Sequence, residues 1–101
     1  MGKAVAVLGS NIKGTSHSDL YLMGTISGGC STFVTIEGKP VAIVGSTTNE
    51  WDSKDTGVGK ISSGSNFVTI DGKPVARVGD SVTPHSGYAT IADGISFVTI
   101  E

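Results

Sequence analysis

Residues 33–45 read Phe-Val-Thr-Ile-Glu-Gly-Lys-Pro-Val-Ala-Ile-Val-Gly, and residues 67–79 read Phe-Val-Thr-Ile-Asp-Gly-Lys-Pro-Val-Ala-Arg-Val-Gly. A third copy begins at Phe97-Val98-Thr99-Ile100-Glu101, where the sequence ends. The segment Ala4-Val5-Ala6-Val7-Leu8-Gly9 resembles the half that this last copy lacks. One supersecondary unit is therefore used three times, with the third copy split between the two termini. The copies are spaced by 67−33 = 34 and 97−67 = 30 residues. Repeats of that length usually build solenoids, which end in polar capping segments. None is visible here, so the pattern predicts a closed pseudo-threefold arrangement rather than an open stack.

Each copy reads as a β-hairpin. Two short runs rich in β-branched residues flank Glu37-Gly38 or Asp71-Gly72, and a two-residue type I′ turn needs positive φ at both of its central positions. Pro40 and Pro74 cannot donate to a ladder and belong at a strand start or an edge. Gly45 and Gly79 mark where the chain leaves the sheet. No segment carries helical periodicity at useful length; Leu20-Tyr21-Leu22-Met23 could make one turn at most. The fold class is all-β: a small conical domain of three pseudo-threefold-related β-hairpins.

The intervening segments Ser10–Gly29, Ser46–Gly64 and Asp80–Gly94 are polar and rich in Gly, Ser and Thr. They are expected to be loops gathered at one end, the point of the cone. Val5, Val7, Phe33, Phe67 and Phe97 are expected to supply the core and part of a docking face. Trp51 reads as a loop anchor or as a contact with a partner.

Both histidines lie in these segments, His17 at 17−9 = 8 residues past Gly9 and His85 at 85−79 = 6 past Gly79. Cys30 precedes the first Phe-Val-Thr-Ile run. Two imidazoles and a thiolate on a pseudo-threefold axis would offer N/N/S ligands to zinc, with iron as the other choice. Asp52, Glu50 or water could complete the set. A metal at the point would replace core volume that a small tapered domain lacks. The competing reading leaves His17 and His85 as polar loop residues and Cys30 as a small buried hydrophobe. A Cys–His nucleophilic pair would further need an orienting group, an oxyanion hole and a cleft. The sequence shows no such constellation, so no enzyme activity is expected.

Composition narrows the remaining classes. At 101 residues the chain can bury only about 60–65% of its unfolded surface. A net charge of −2 without a Lys/Arg run gives no footprint for nucleic acid or an anionic membrane. The start, Met1-Gly2-Lys3-Ala4-Val5, does not read as a signal peptide. One cysteine excludes an internal disulfide framework and suits synthesis in a reducing cytoplasm.

Gly72-Lys73-Pro74-Val75-Ala76-Arg77-Val78-Gly79-Asp80, followed by Thr83-Pro84-His85, resembles the PAAR-repeat proteins. Pro74-Val75-Ala76-Arg77 matches the run that names the family, and Pro40-Val41-Ala42-Ile43 matches it with Ile in place of Arg. The resemblance implies a β cone that tips the spike of a type VI secretion system or a contractile phage tail. Its base would dock on a trimeric β-helical spike protein, one tip per trimer, and its point would meet a target membrane transiently. It also implies zinc held by three histidines and one cysteine; the residues available here are His17, His85 and Cys30, because the chain has only two histidines. Residues 1–101 would form one PAAR domain without extensions, at a virion tail tip or secreted through the type VI machinery. The alternative expectation is a small trefoil-like module that binds a glycan or an envelope surface.

Overall fold

The computed structural model describes residues 2–101, with the side chain of Phe97 outside the described part. The elements are β1 (Lys3–Val5), β2 (Asn11–Thr15), β3 (Tyr21–Gly28), β4 (Thr35–Ile36), β5 (Lys39–Pro40) and β6 (Thr47–Trp51). They continue with β7 (Thr56–Ile61), β8 (Thr69–Ile70), β9 (Lys73–Pro74), β10 (Ser81–Thr83), β11 (Tyr88–Ile91) and β12 (Ile95–Ile100). All the regular structure described is β, in a body of 35 × 27 × 22 Å.

Three small hairpins form one end, here called the base. β4 pairs with β5 and β8 with β9, each across a two-residue turn. Glu37 and Gly38 have φ of 53° and 79°, and Asp71 and Gly72 have 52° and 79°. Both turns thus place two successive residues at positive φ, as the type I′ signal requires. The third hairpin is the split copy. β1 pairs antiparallel with β12, placing Lys3 opposite Ile100 and Ala4 opposite Thr99.

The repeats meet on an axis. Ala6 N–H donates to Ala76 O, Ala76 to Ala42 O, and Ala42 to Ala6 O, at 3.0, 2.9 and 3.0 Å. The three alanines are fully buried, and this closed ring of backbone bonds leaves no edge at the centre. Around it Leu8, Val44 and Val78 donate to Pro40 O, Pro74 O and Ala4 O, each at 2.9 Å. In Pro-Val-Ala-Arg the proline therefore ends a short base strand, the valine faces the base and the alanine sits on the axis.

Ile43 replaces the arginine of the next copy without leaving a polar gap. Arg77 Nε and Nη2 donate to the Asp80 carboxylate at 3.0 and 2.8 Å, and Arg77 N–H donates to the same group. In the other copies Ile43 N–H and Val7 N–H donate to the hydroxyls of Ser46 and Ser10, both at 3.0 Å. An apolar residue at the first place goes with serine three residues on, and arginine goes with aspartate. Each buried N–H keeps its acceptor, and the guanidinium keeps a carboxylate.

The segments expected as loops differ most from that expectation. They form three further hairpins, β2–β3, β6–β7 and β10–β11, which close into a barrel of order β10-β11-β2-β3-β6-β7. Leu20–Met23, allowed one helical turn by the sequence, leads into β3 as extended chain. Alternation is the cause: β3 has Leu22, Gly24 and Ile26 buried between exposed or half-buried neighbours. Ile12, Leu22, Ile26, Ile61, Val82 and Ile91 fill the barrel together with the axial alanines. Burying each large aliphatic side chain contributes about 1.5–3 kcal/mol. The glycines admit tight sheet contacts: a β-carbon at Gly24 would overlap the backbone of Asn49, and one at Gly14 that of Tyr88.

Val5 and Val7 are buried, as expected, but Phe33 and Phe67 are 80% and 78% exposed and lie outside the core. Their N–H groups donate to Ser31 and Ser65 hydroxyls in tight turns that send both rings outward. Phe97, expected to act with them, has its side chain outside the described residues.

Candidate functional site

The end opposite the base, here the apex, is made by the turns β2–β3 (16–20), β6–β7 (52–55) and β10–β11 (84–87). His17 and His85 lie there. His17 is exposed, and its N–H donates to Ser86 Oγ at 3.0 Å, tying two apical turns together. His85 turns inward over β7, where a β-carbon at Gly57 would overlap its ring.

Glu50 meets it there. Glu50 is 1% exposed and points into the barrel from β6. Its Oε1 accepts the His85 backbone N–H at 2.6 Å and lies 3.2 Å from His85 Nδ1. Its Oε2 accepts the Thr48 hydroxyl at 3.1 Å. Gly59 makes room, since a β-carbon there would stand 3.0 Å from Glu50 Oε1. A neutral ring that donates through Nδ1 presents Nε2 as an acceptor, and this buried Nε2 has no hydrogen-bond partner among the described residues.

Cys30 does not join the histidines. It follows the basal end of β3, packs against the main core, and places Sγ 3.7 Å from Gly28 O. The eight residues of β3 separate it from the 16–20 turn, a run of roughly 26 Å at about 3.3 Å per residue. Burial pushes the Cys30 thiol up, which opposes the thiolate that metal ligation or nucleophilic attack requires.

The residues present therefore do not fit the N/N/S site read from the sequence. Among the described residues no three His, Cys, Asp or Glu side chains come together as a metal-binding group. The suggested fourth ligands are also engaged. Glu50 holds Thr48 and His85, and Asp52 Oδ1 accepts the N–H groups of Lys54 and Asp55 at 2.8 Å each, forming an Asx turn. Among the described residues, His85 Nε2 is a buried nitrogen without a partner, its ring oriented by a carboxylate as metal-bound imidazoles are. Cys30 and His17 do not join it in a metal-binding group among the described residues. Equivalent offsets from the closing glycine did not reveal that Glu50 would be drawn inside; its alternation with Thr48 on β6 was the available signal.

The base offers a different surface. Val5, Val41 and Val75 pack beneath Ile36, Ile70, Val98 and Ile100 in a second apolar cluster. With Val34 and Val68 these residues line a shallow depression of about 190 Å³, and every lining residue is apolar. Each repeat contributes the same set: Val34, Ile36 and Val41; Val68, Ile70 and Val75; Val98, Ile100 and Val5. Phe33 and Phe67 flank it.

No curated protein matches the chain. The family model for the PAAR motif matches residues 52–101. The matched half contains Pro74-Val75-Ala76-Arg77, whose side chains line the base, the axis and the Asp80 ion pair. Proteins with this motif are structural and are associated with the spike tips of type VI secretion and other contractile injection systems. The chain belongs to the PAAR-motif family.

Proposed function

We propose that this chain caps a trimeric β-helical spike, one copy per trimer, and forms its leading point. The supporting observation is the base: three equivalent Val–Ile patches around an axis marked by the Ala6–Ala42–Ala76 ring. A single chain with three similar faces can satisfy three identical chains at once, which a chain without the repeat could not do. Covering the end of a β-helix also removes unpaired edges from the spike. The exposed Phe33 and Phe67 are suited to anchor the contact, as aromatic side chains dominate interface energetics.

The barrel suits a load-bearing role. Its strands run between base and apex, each paired on both sides, and the apical turns are short. At the apex the Thr48–Glu50–His85 hydrogen bonds join β6 to the β10–β11 turn from inside. Axial thrust would thus be carried by a closed hydrogen-bonded wall. In this reading the chain serves puncture rather than chemistry.

Co-expression with a trimeric β-helical spike and native mass spectrometry tests the proposal. The expected complex holds one chain per three spike chains. Phe33→Ser combined with Phe67→Ser should weaken it about tenfold or more, with little change in thermal stability because both rings are exposed. A ratio other than one to three, or retention unaffected by that variant, overturns the docking role.

A further inference from the structure

The exposed large hydrophobics form two groups. One is at the base; the other is Tyr21, Met23, Trp51, Val58 and Tyr88, all on the outer wall of the barrel. Met23, Val58 and Tyr88 occupy equivalent positions, each three residues before the isoleucine that bonds a closing glycine (26−23 = 61−58 = 91−88 = 3). They therefore face outward on three different sides. Trp51 stands opposite Met23, and Thr15 stands opposite both Tyr21 and Tyr88. Together the five residues make a girdle toward the apical half of the barrel. Val58, Tyr21 and Tyr88 are 62%, 61% and 69% exposed.

Charge is sorted in the same way. The outward positions of the barrel strands carry Lys13 and Lys60 and no carboxylate. Asp19, Asp52 and Asp55 lie in the apical turns, Glu37, Asp71, Asp93 and Glu101 lie toward the base, and Glu50 and Asp80 are buried. Lys13 stands opposite Met23 and shares a shallow depression with Tyr21 and Tyr88. The net charge of −2 hides a wall whose only outward charges are cationic, with the five large hydrophobics set among Ser, Thr and Asn side chains.

We infer that this girdle is a contact surface for the headgroup–acyl boundary of a phospholipid bilayer. Tyr and Trp carry an apolar ring and a polar tip, the combination that settles at that boundary. Lys13 and Lys60 complement lipid phosphates. Position around the axis favours a bilayer over a single partner molecule: a ligand docked on one side meets part of the girdle, whereas a membrane crossed along the axis meets all of it. The inference rests on the reading of the chain as a leading point, and it names the surface that would hold the pierced membrane around the barrel.

Trp51 is the only tryptophan and lies in the girdle, so it reports directly. The full chain is mixed with vesicles of phosphatidylethanolamine and phosphatidylglycerol, with and without brominated acyl chains. Trp51 emission should shift to the blue and be quenched by the brominated lipid. Tyr21→Ser with Tyr88→Ser, and separately Lys13→Glu with Lys60→Glu, should each lower vesicle partitioning about tenfold. Both pairs should leave the circular dichroism spectrum and spike binding unchanged. Unchanged Trp51 emission on vesicles, partitioning insensitive to the girdle variants, or binding only to lipid-free envelope polysaccharide overturns the inference. A chain that docks on the spike but ignores vesicles refutes the girdle alone. One that partitions through the girdle but binds no spike refutes the capping role and leaves the girdle standing.

Discussion

The two ends of this molecule solve closure differently. At the base, three copies of one sequence converge with near-identical geometry: Ala6, Ala42 and Ala76 exchange backbone bonds in a ring, and equivalent valines pack beneath equivalent isoleucines. At the apex the copies diverge. Leu22 fills one sector of the barrel, whereas Glu50 and His85 fill another over Gly57 and Gly59. In the capping role proposed above, the base must match something with threefold symmetry, so its copies are held alike. The apex faces no such requirement, and any packing that satisfies the buried groups will serve.

Overfilling the axis is the strongest way to break the comparison. Ala76→Leu adds volume where Ala76 is fully buried between two backbones and should cost about 3 kcal/mol. It should also distort all three repeats, read as a large fall in denaturation midpoint and loss of spike binding. A mild effect would mean that the ring is not what organises the base.

Removing the apical carboxylate comes next. Glu50→Ala strands the Thr48 hydroxyl and the His85 donors inside the barrel and should cost about 2 kcal/mol. Spike binding should survive, because the change is at the far end. If Glu50→Ala abolished docking, the two ends would not be independent.

Cys30 gives a smaller, pH-dependent effect. Its thiol is pushed up by burial, so the folded chain keeps the proton after the unfolded chain has lost it. That contribution to stability is whole below the ordinary thiol range near pH ~8.5 and declines as pH rises toward the raised folded value. Cys30→Ala should flatten this alkaline slope, as measured by denaturation at pH 7 and above. Alkylation of the native thiol at pH 7 should be slower than that of a free peptide cysteine.

The smallest expected effect belongs to metal removal. With Cys30 at the base and Glu50 bonded to His85, elemental analysis should find well below one zinc or iron per chain. A chelator should shift the melting temperature by no more than about 1 °C, since no structural metal would be lost. Stoichiometric metal with a large chelator shift would show that the apex rearranges around an ion.

Much of the base was legible from the repeat. Glu37-Gly38 and Asp71-Gly72 specified their turns, because few backbones other than type I′ use such a pair. The split copy was also legible, since Phe97–Glu101 and Ala4–Gly9 are recognisable halves. The barrel was not. Its strands carry Gly14, Gly24, Gly57 and Gly59, which lower β-propensity and suggest loops, yet those glycines are what allow neighbouring strands and the His85 ring to approach. Cys30 stands apart from His17 and His85 for a related reason. Offsets from a glycine do not reveal that eight extended residues of β3 carry Cys30 away from the apex.

The sequence by itself determined the threefold plan, the hairpin turns and the residues able to lie on the axis, because local dihedral preference and repetition act over a few neighbouring residues. Only the tertiary structure decided which polar groups go inside, where the carboxylates gather and which hydrophobics stay on the wall. Those outcomes depend on barrel closure, which fixes the direction of every second side chain and brings Glu50 to His85, 35 residues apart in the chain.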